Sequence, residues 1–359
     1  MKIALIGAYG FTGTLISEEL QKANLEFSAY GRSIEKLVAL QSEYSVLKSI
    51  TAIDLRKRED IQMIIAKSDL VINCAGPFTE ESALMLSEMA KSGKVYLDIT
   101  GEVGFVRASK ERYHESAQKH KSLIIHGCAF ESLIADLGTA YLSAQVGAIK
   151  SIDTFYQFDQ LRASPGTKMT MKLSKYRDSL RVQNNAWGVS SFQDNQYQVT
   201  THLNENQVAI PYPLPEIAYN YWNHKVESAG SYLVLGEKQA ARLGNNTEVE
   251  GDSLETLDVI RLRKRKGPNA EERADQKSNL TIRVTDSNDR PYILLMQSTD
   301  MYLITAKAMV ISVQVIIQNG WNLYGVRSPA QLFKGREEEV LAQLNVTLIK
   351  DSTFDIRRK

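Results

Sequence analysis

The sequence predicts an α/β protein: an N-terminal Rossmann domain on a doubly wound parallel sheet, followed by a second, α+β domain. Three observations carry this. Over the first third, six short runs rich in Val, Ile, Leu or aromatics alternate with segments of helical periodicity. A glycine-rich turn follows the first run. Beyond about residue 130 the strand-like runs arrive with fewer helical segments between them. A chain of 359 residues with 43% hydrophobic content can bury two cores, and the domains are expected over residues 1–129 and 130–359.

The six expected strands are Lys2 to Ile6, Glu26 to Tyr30, Ser49 to Ile53, Leu70 to Cys74, Lys94 to Asp98 and Ser122 to Ile125, each brief and bounded by Gly, Asp or Ser. Between them, Leu15, Ile16, Leu20 and Ala23, and later Leu84, Met85 and Met89, fall at helical spacing. In the second domain Ile152 to Phe158, Leu257 to Leu262, Asn279 to Val284 and Tyr292 to Gln297 read as strands. The polar stretches Asn184 to Gln207 and Gly244 to Glu255 read as loops or a lid. The apolar stretch Met301 to Gln318 is interrupted by Thr305, Lys307, Ser312 and Gln314, and is expected to be a buried helix rather than a membrane span.

Gly7, Gly10 and Gly13 stand between the first strand and the first helix, where a tight turn lets backbone N–H groups approach a pyrophosphate. Tyr9, Phe11 and Thr12 belong to the same turn. The second strand ends in Gly31-Arg32-Ser33, at the place where NAD-preferring proteins carry an acidic residue for the ribose 2′-hydroxyl. An arginine there suits a 2′-phosphate through charge-assisted hydrogen bonds, so NADP(H) is the expected cofactor. Asp54, after the third strand, suits either the adenine amino group or the start of the next helix. Asn73, Ala75, Gly76 and Pro77 follow the fourth strand and leave room for the nicotinamide side of the dinucleotide. Thr100 and Glu102 follow the fifth at the same edge of the sheet.

Composition narrows the partners. With 43 basic and 42 acidic residues the chain has no global field for nucleic acid or anionic lipid. The cluster Arg261 to Lys266 reads as a solvated edge, since no aromatic platform stands beside it. Cys74 and Cys128 have no metal-ligand spacing and read as small buried residues. No metal site is expected, and His126, near the cofactor edge, reads as packed or hydrogen-bonded. The short apolar start runs straight into the glycine turn, unlike a signal peptide, so a cytoplasmic protein is expected. The expected partner is a small-molecule substrate, with membrane association disfavoured and a homodimer left open as the assembly.

Taken together, Gly7-x-x-Gly10-Phe11-Thr12-Gly13, Gly31-Arg32, Val71-Ile72-Asn73-Cys74-Ala75-Gly76-Pro77-Phe78 and Tyr96-Leu97-Asp98-Ile99-Thr100-Gly101-Glu102 resemble the saccharopine dehydrogenase-like oxidoreductases, especially the branch with the trans-acting enoyl reductases. The segment from Gly127 to Gly138 is similar to that family's Gly-Phe-Asp-Ser-x-Pro-x-Asp-Leu-Gly pattern, with Glu131 in place of Asp and Ile134 in place of Pro. The resemblance implies an NADP(H)-dependent oxidoreductase whose second domain closes over the dinucleotide. It leaves the substrate open among small or lipid-like enoyl, carbonyl and imine compounds. Glu102 and Glu131 are the candidates for the proton step that accompanies hydride transfer. A non-catalytic redox sensor that binds NADP(H) and acts through protein partners is the alternative reading.

Overall fold

Seven parallel strands form the first sheet, and its order explains where a ligand can bind. The computed structural model describes residues 1–76, 78, 83–159, 162–168, 179–190, 196–200, 207–244, 267–349 and 355–358. Strands β1 (Ile3–Ile6), β2 (Phe27–Gly31), β3 (Leu47–Ala52), β4 (Leu70–Asn73), β5 (Val95–Asp98) and β6 (Leu123–Ile125) are joined by a late strand, β15 (Gly325–Arg327). The order is β15-β6-β5-β4-β1-β2-β3. β1 pairs with β2 on one side (Ile6 opposite Tyr30) and with β4 on the other (Ile6 opposite Asn73). The strand order therefore reverses at β1, and the crevice at the carboxyl ends of β1 and β4 is the ligand position of such sheets.

Helices on both faces explain why β1, β4 and β5 are buried at every position. Helix α1 (Phe11–Lys22) turns Leu15, Ile16 and Leu20 inward, and α5 (Val103–Lys119) does the same with Val103, Val106 and Ala117. Between them in the chain lie α2 (Ile34–Gln41), α3 (Arg58–Lys67) and α4 (Ala83–Met89). The side chain of Ser33 accepts a hydrogen bond from Lys36 N and caps α2. Each fully buried Leu or Ile contributes about 1.5–3 kcal/mol, so the core beneath these helices dominates the stability of the sheet.

The chain divides into two units, Met1–Ile134 with Tyr302–Gly335, and Ala135–Met301 with Arg336–Lys359. The expected division at residue 129 is thus corrected. Residues 302–335 return to the first unit because β15 adds a seventh parallel strand beside β6, Val326 opposite Ile124. The outer edge of β15 is closed by α5: Val326 N donates to His114 Nδ1 at 3.1 Å, and Lys110 Nζ donates to Val326 O at 2.9 Å. Burial holds His114 neutral, near pKa 4, as the acceptor role requires. An edge strand whose free groups are taken in this way is a poor template for another chain.

The long apolar segment is a helix, Met301–Asn319. It is long and apolar enough to cross a membrane, yet 67% of its most apolar window is buried within the protein, as a core helix requires. In the first unit it brings Tyr302 edge-on to Phe11, with ring centroids 4.9 Å apart, and Thr305 Oγ1 accepts from Phe130 N.

The second unit is built on a mixed ten-stranded sheet. β7 (Ile149–Phe158) lies between β12 (Ser228–Gly236), parallel to it, and β13 (Lys277–Asp286), antiparallel; β14 (Pro291–Thr299) follows β13. The expected loop over Asn184 to Gln207 is corrected by two strands within it, β9 (Ala186–Ser190) and β10 (Tyr197–Thr200). β10 is held by β11 (Gln207–Pro211) and by the C-terminal strand β17 (Asp355–Arg358). β9 forms a hairpin with the preceding strand Ser179–Gln183, and both β9 and β10 are of mixed polarity, so their own residues carry little strand signal. The expected strand Leu257 to Leu262, the cluster Arg261 to Lys266 and most of the stretch Gly244 to Glu255 lie outside the described residues.

A buried acid opens the helix Glu216–His224. Glu216 is fully buried, and its Oε1 accepts from Thr154 Oγ1 at 3.0 Å and from Tyr156 OH at 2.9 Å. Burial pushes its carboxyl up to about 7, against the pull of hydrogen bonds from Ser231, Tyr156 and Thr154.

Candidate functional site: a dinucleotide cleft

The glycine turn has the geometry that the spacing implies. Gly7 adopts φ +79°, a conformation open to glycine, and donates N–H to Tyr30 O at 2.8 Å; Gly10 N closes the turn on Gly7 O at 2.9 Å. Gly13 faces inward. A Cβ there would sit 2.2 Å from Gly7 O and 3.0 Å from Ala8, so only glycine lets α1 start this close to β1. α1 starts directly after this turn, at the carboxyl end of β1 where the strand order reverses. Phe11 and Thr12 lie in the first turn of α1, half-buried.

Tyr9 shapes the adjoining corner. Its hydroxyl accepts from Arg32 N at 2.9 Å and from Ser33 N at 3.2 Å, and a Cβ on Gly31 would strike its ring at 2.4 Å. The β2–α2 turn is thereby fixed against the glycine turn, with the Arg32 side chain left exposed and in no ion pair among the described residues. Lys36 brings a second cation, its Nζ 5.5 Å from the centre of the Tyr9 ring. Glu35 sits at the same turn, and its hydrogen bond from Ser33 Oγ lowers its pKa. Sequence reasoning missed Lys36; its position four residues past Arg32, in the first turn of the helix, was the available signal.

Asp54 is engaged by Arg56, whose Nη2 lies 2.7 Å from Oδ2, and these hydrogen bonds hold its carboxyl far below the usual range. Helix α3 starts only at Arg58, with Lys57 as its N-cap, so the capping role considered for Asp54 is corrected. Past β4, Asn73 Oδ1 accepts from Ala75 N, while Asn73 Nδ2 donates to Tyr96 OH. Gly76 is exposed beside them, and Pro77 lies outside the described residues.

Thr100 is fully buried and gives its hydroxyl to Glu102 Oε2 at 2.7 Å. Its hydroxyl therefore holds the loop after β5. Glu102 Oε2 also accepts from Gly101 N, and Glu102 occupies the N-cap position of α5. Glu131 lies half-buried in the first turn of the helix Phe130–Ser143, and burial raises its pKa. Of the two acidic candidates, Glu131 is the one whose carboxyl burial pushes above the ordinary carboxylate range. Cys74 and Cys128 are free thiols, and burial together with the Asp98 carboxylate keeps Cys74 protonated. Among the described residues no cluster of His, Cys, Asp or Glu could hold a metal ion.

A parallel sheet that reverses its order at a glycine turn, with a free arginine at the end of its second strand, defines a dinucleotide-binding domain of the NADP type. The glycine cradle and Arg32, exposed and in no ion pair among the described residues, fit that group. Residues 3–125 match the model of the saccharopine dehydrogenase NADP binding domain. A trans-acting enoyl reductase of Mycobacterium ulcerans is 26% identical over 223 residues, 59% of this chain and 52% of that protein. A human saccharopine dehydrogenase-like oxidoreductase is 28% identical over 171 residues, 43% of this chain and 40% of that protein. The chain thus spans about half or less of the length of these relatives. Apo saccharopine dehydrogenase (L-Glu forming) from Saccharomyces cerevisiae shares the fold across 99% of both chains, with a TM-score of 0.66 at 10% identity.

Arg32 gives the sharpest test of this corner. Arg32→Ala should raise the dissociation constant for NADPH about ten- to a hundredfold, the worth of charge-assisted hydrogen bonds to a phosphate. The constant for NADH should change little. Titration of both cofactors checks it, and equal effects would remove the 2′-phosphate from this corner.

Proposed function

We propose that this protein is an NADP(H)-dependent oxidoreductase that acts on a small enoyl, carbonyl or imine compound. The observation that carries the reading is the NADP-type cleft with Glu131, an acid of raised pKa, in the same unit. The names of the relatives support the same class of chemistry. Bound NADPH supplies the hydride equivalent. The turn at Gly7, Gly10 and Gly13 would hold the pyrophosphate, Arg32 and Lys36 the 2′-phosphate, and the loops after β4 and β5 the nicotinamide side. Glu131 would then deliver a proton to the anion left on the substrate, so that one hydride and one proton complete the reduction.

The test is NADPH oxidation followed with a panel of enoyl, keto and imine compounds. Turnover is expected with one class, and Glu131→Gln should lower kcat by about a hundredfold with NADPH affinity unchanged. Tight NADPH binding without turnover on any class would overturn the enzyme and leave the redox sensor. Full activity in Glu131→Gln would remove Glu131 from the proton step.

A further inference from the structure

Beneath the nicotinamide side of the cleft lies a closed chain of buried polar side chains which the reaction proposed above does not use. Asp98, at the end of β5, is fully buried, and its Oδ1 accepts from Thr100 N at 3.1 Å and from Gly127 N at 3.0 Å. One carboxylate oxygen therefore ties together the loops after β5 and β6. Its Oδ2 lies 2.6 Å from Nδ1 of His126, itself fully buried, and His126 Nε2 lies 2.7 Å from Ser109 Oγ on α5. With Asp98 as acceptor, the imidazole donates from Nδ1 and accepts the Ser109 hydroxyl at Nε2. Asn73 performs the matching task after β4, where Oδ1 takes Ala75 N and Nδ2 reaches Tyr96 OH.

The arrangement spans the carboxyl ends of β4, β5 and β6, which is the nicotinamide half of a sheet that reverses at β1. It does not extend to the end of β2, where Arg32 and Tyr9 stand. Every buried polar group in a low-dielectric interior must find a partner, and a fully satisfied network fixes the backbone it touches. The triad of Ser109, His126 and Asp98 has the connectivity of a hydrolytic site, but Ser109 is 1% exposed and cannot meet a substrate.

We infer that Asp98, oriented by His126, is a positioning residue that sets the β5 and β6 loops against the nicotinamide half of NADP(H), leaving the adenosine half to the β1–β2 corner. This rests on the dinucleotide lying across the sheet as proposed above.

The test compares binding of NADPH with binding of 2′,5′-ADP, which carries only the adenosine half. The variants are chosen by which hydrogen bond they keep. The amide nitrogen of an asparagine falls near the position of histidine Nδ1, whereas that of a glutamine reaches toward Nε2. His126→Asn can still donate to Asp98 and should bind NADPH within about threefold of wild type. His126→Gln and Asp98→Ala should weaken NADPH by about tenfold or more, with 2′,5′-ADP affinity unchanged within about twofold. Retained 2′,5′-ADP binding also shows that each variant is folded. Should Asp98→Ala not fold, the pair of His126 variants carries the comparison alone. Parallel weakening of both ligands, or equal behaviour of the asparagine and glutamine variants, would overturn the assignment. Failure of wild-type protein to bind 2′,5′-ADP would instead overturn the cofactor placement on which it rests.

Discussion

Replacing Gly13 with alanine is expected to weaken NADPH binding by more than about a hundredfold, the largest effect of any single methyl group in the first unit. The added Cβ would lie 2.2 Å from the Gly7 carbonyl oxygen and 3.0 Å from two atoms of Ala8, all of them backbone. No side chain can swing aside to relieve that contact. The Gly7 carbonyl already accepts from Gly10 N, so moving it opens the turn. Moving α1 instead separates its buried Leu15, Ile16 and Leu20 from the sheet. Overpacking of this kind costs about 1–3 kcal/mol in stability. The loss in binding should exceed that, because the N–H groups of the turn would no longer converge on the pyrophosphate. Fluorescence titration with NADPH, alongside a melting curve, separates the two effects. Wild-type affinity in Gly13→Ala would mean that the turn is not the pyrophosphate site.

Glu216→Gln is expected to stabilise the second unit at pH 8 by on the order of 3 kcal/mol, which corresponds to roughly 5–10 °C in Tm. The direction follows from proton linkage. Glu216 has a folded pKa of about 7 against an ordinary value of 4.5, so the folded state binds more protons than the unfolded state between those limits. Its favourable contribution is complete below about pH 4.5 and is lost as the pH rises through about 7, leaving a buried charge above that. Glutamine keeps the carbonyl oxygen that accepts from Thr154 and Tyr156. Its amide nitrogen can donate to the buried Ser231 hydroxyl, which hydrogen-bonds the carboxylate in the native protein. Melting curves of both proteins at pH 5 and pH 8 check it. The gain should be large at pH 8 and small at pH 5, and a gain independent of pH would show that Glu216 is not ionised in the folded protein.

The parts of the fold that were legible in the sequence are those written in local pattern. β1, β2, β4, β5 and β6 were visible as short apolar runs because parallel strands inside a sheet are buried on both faces, whereas β3 lies at the edge and is largely exposed. The cleft was visible because Gly7, Gly10, Gly13 and Arg32 follow strand ends directly, where a backbone turn alone decides their position. Strands β9 and β10 were read as loop because a strand of mixed polarity is stabilised by its neighbours and not by its own residues. Thr100 and Glu102 illustrate a second limit. Their spacing put both at the right edge of the sheet, but whether a hydroxyl faces cofactor or a neighbouring carboxylate depends on rotamer and burial.

By itself, then, the sequence determined the class of the first domain and the positions of the glycine turn after β1 and of Arg32 after β2, since each depends on residues within one strand–turn–helix unit. The tertiary structure decided what joins distant segments: the return of residues 302–335 as a seventh strand, the Tyr9 hydroxyl that fixes the Arg32 turn, and the path from Asp98 through His126 to Ser109. Such contacts form only when the sheet brings separate strand ends together, and a hydrogen bond between residues 28 positions apart leaves no periodic trace in the chain.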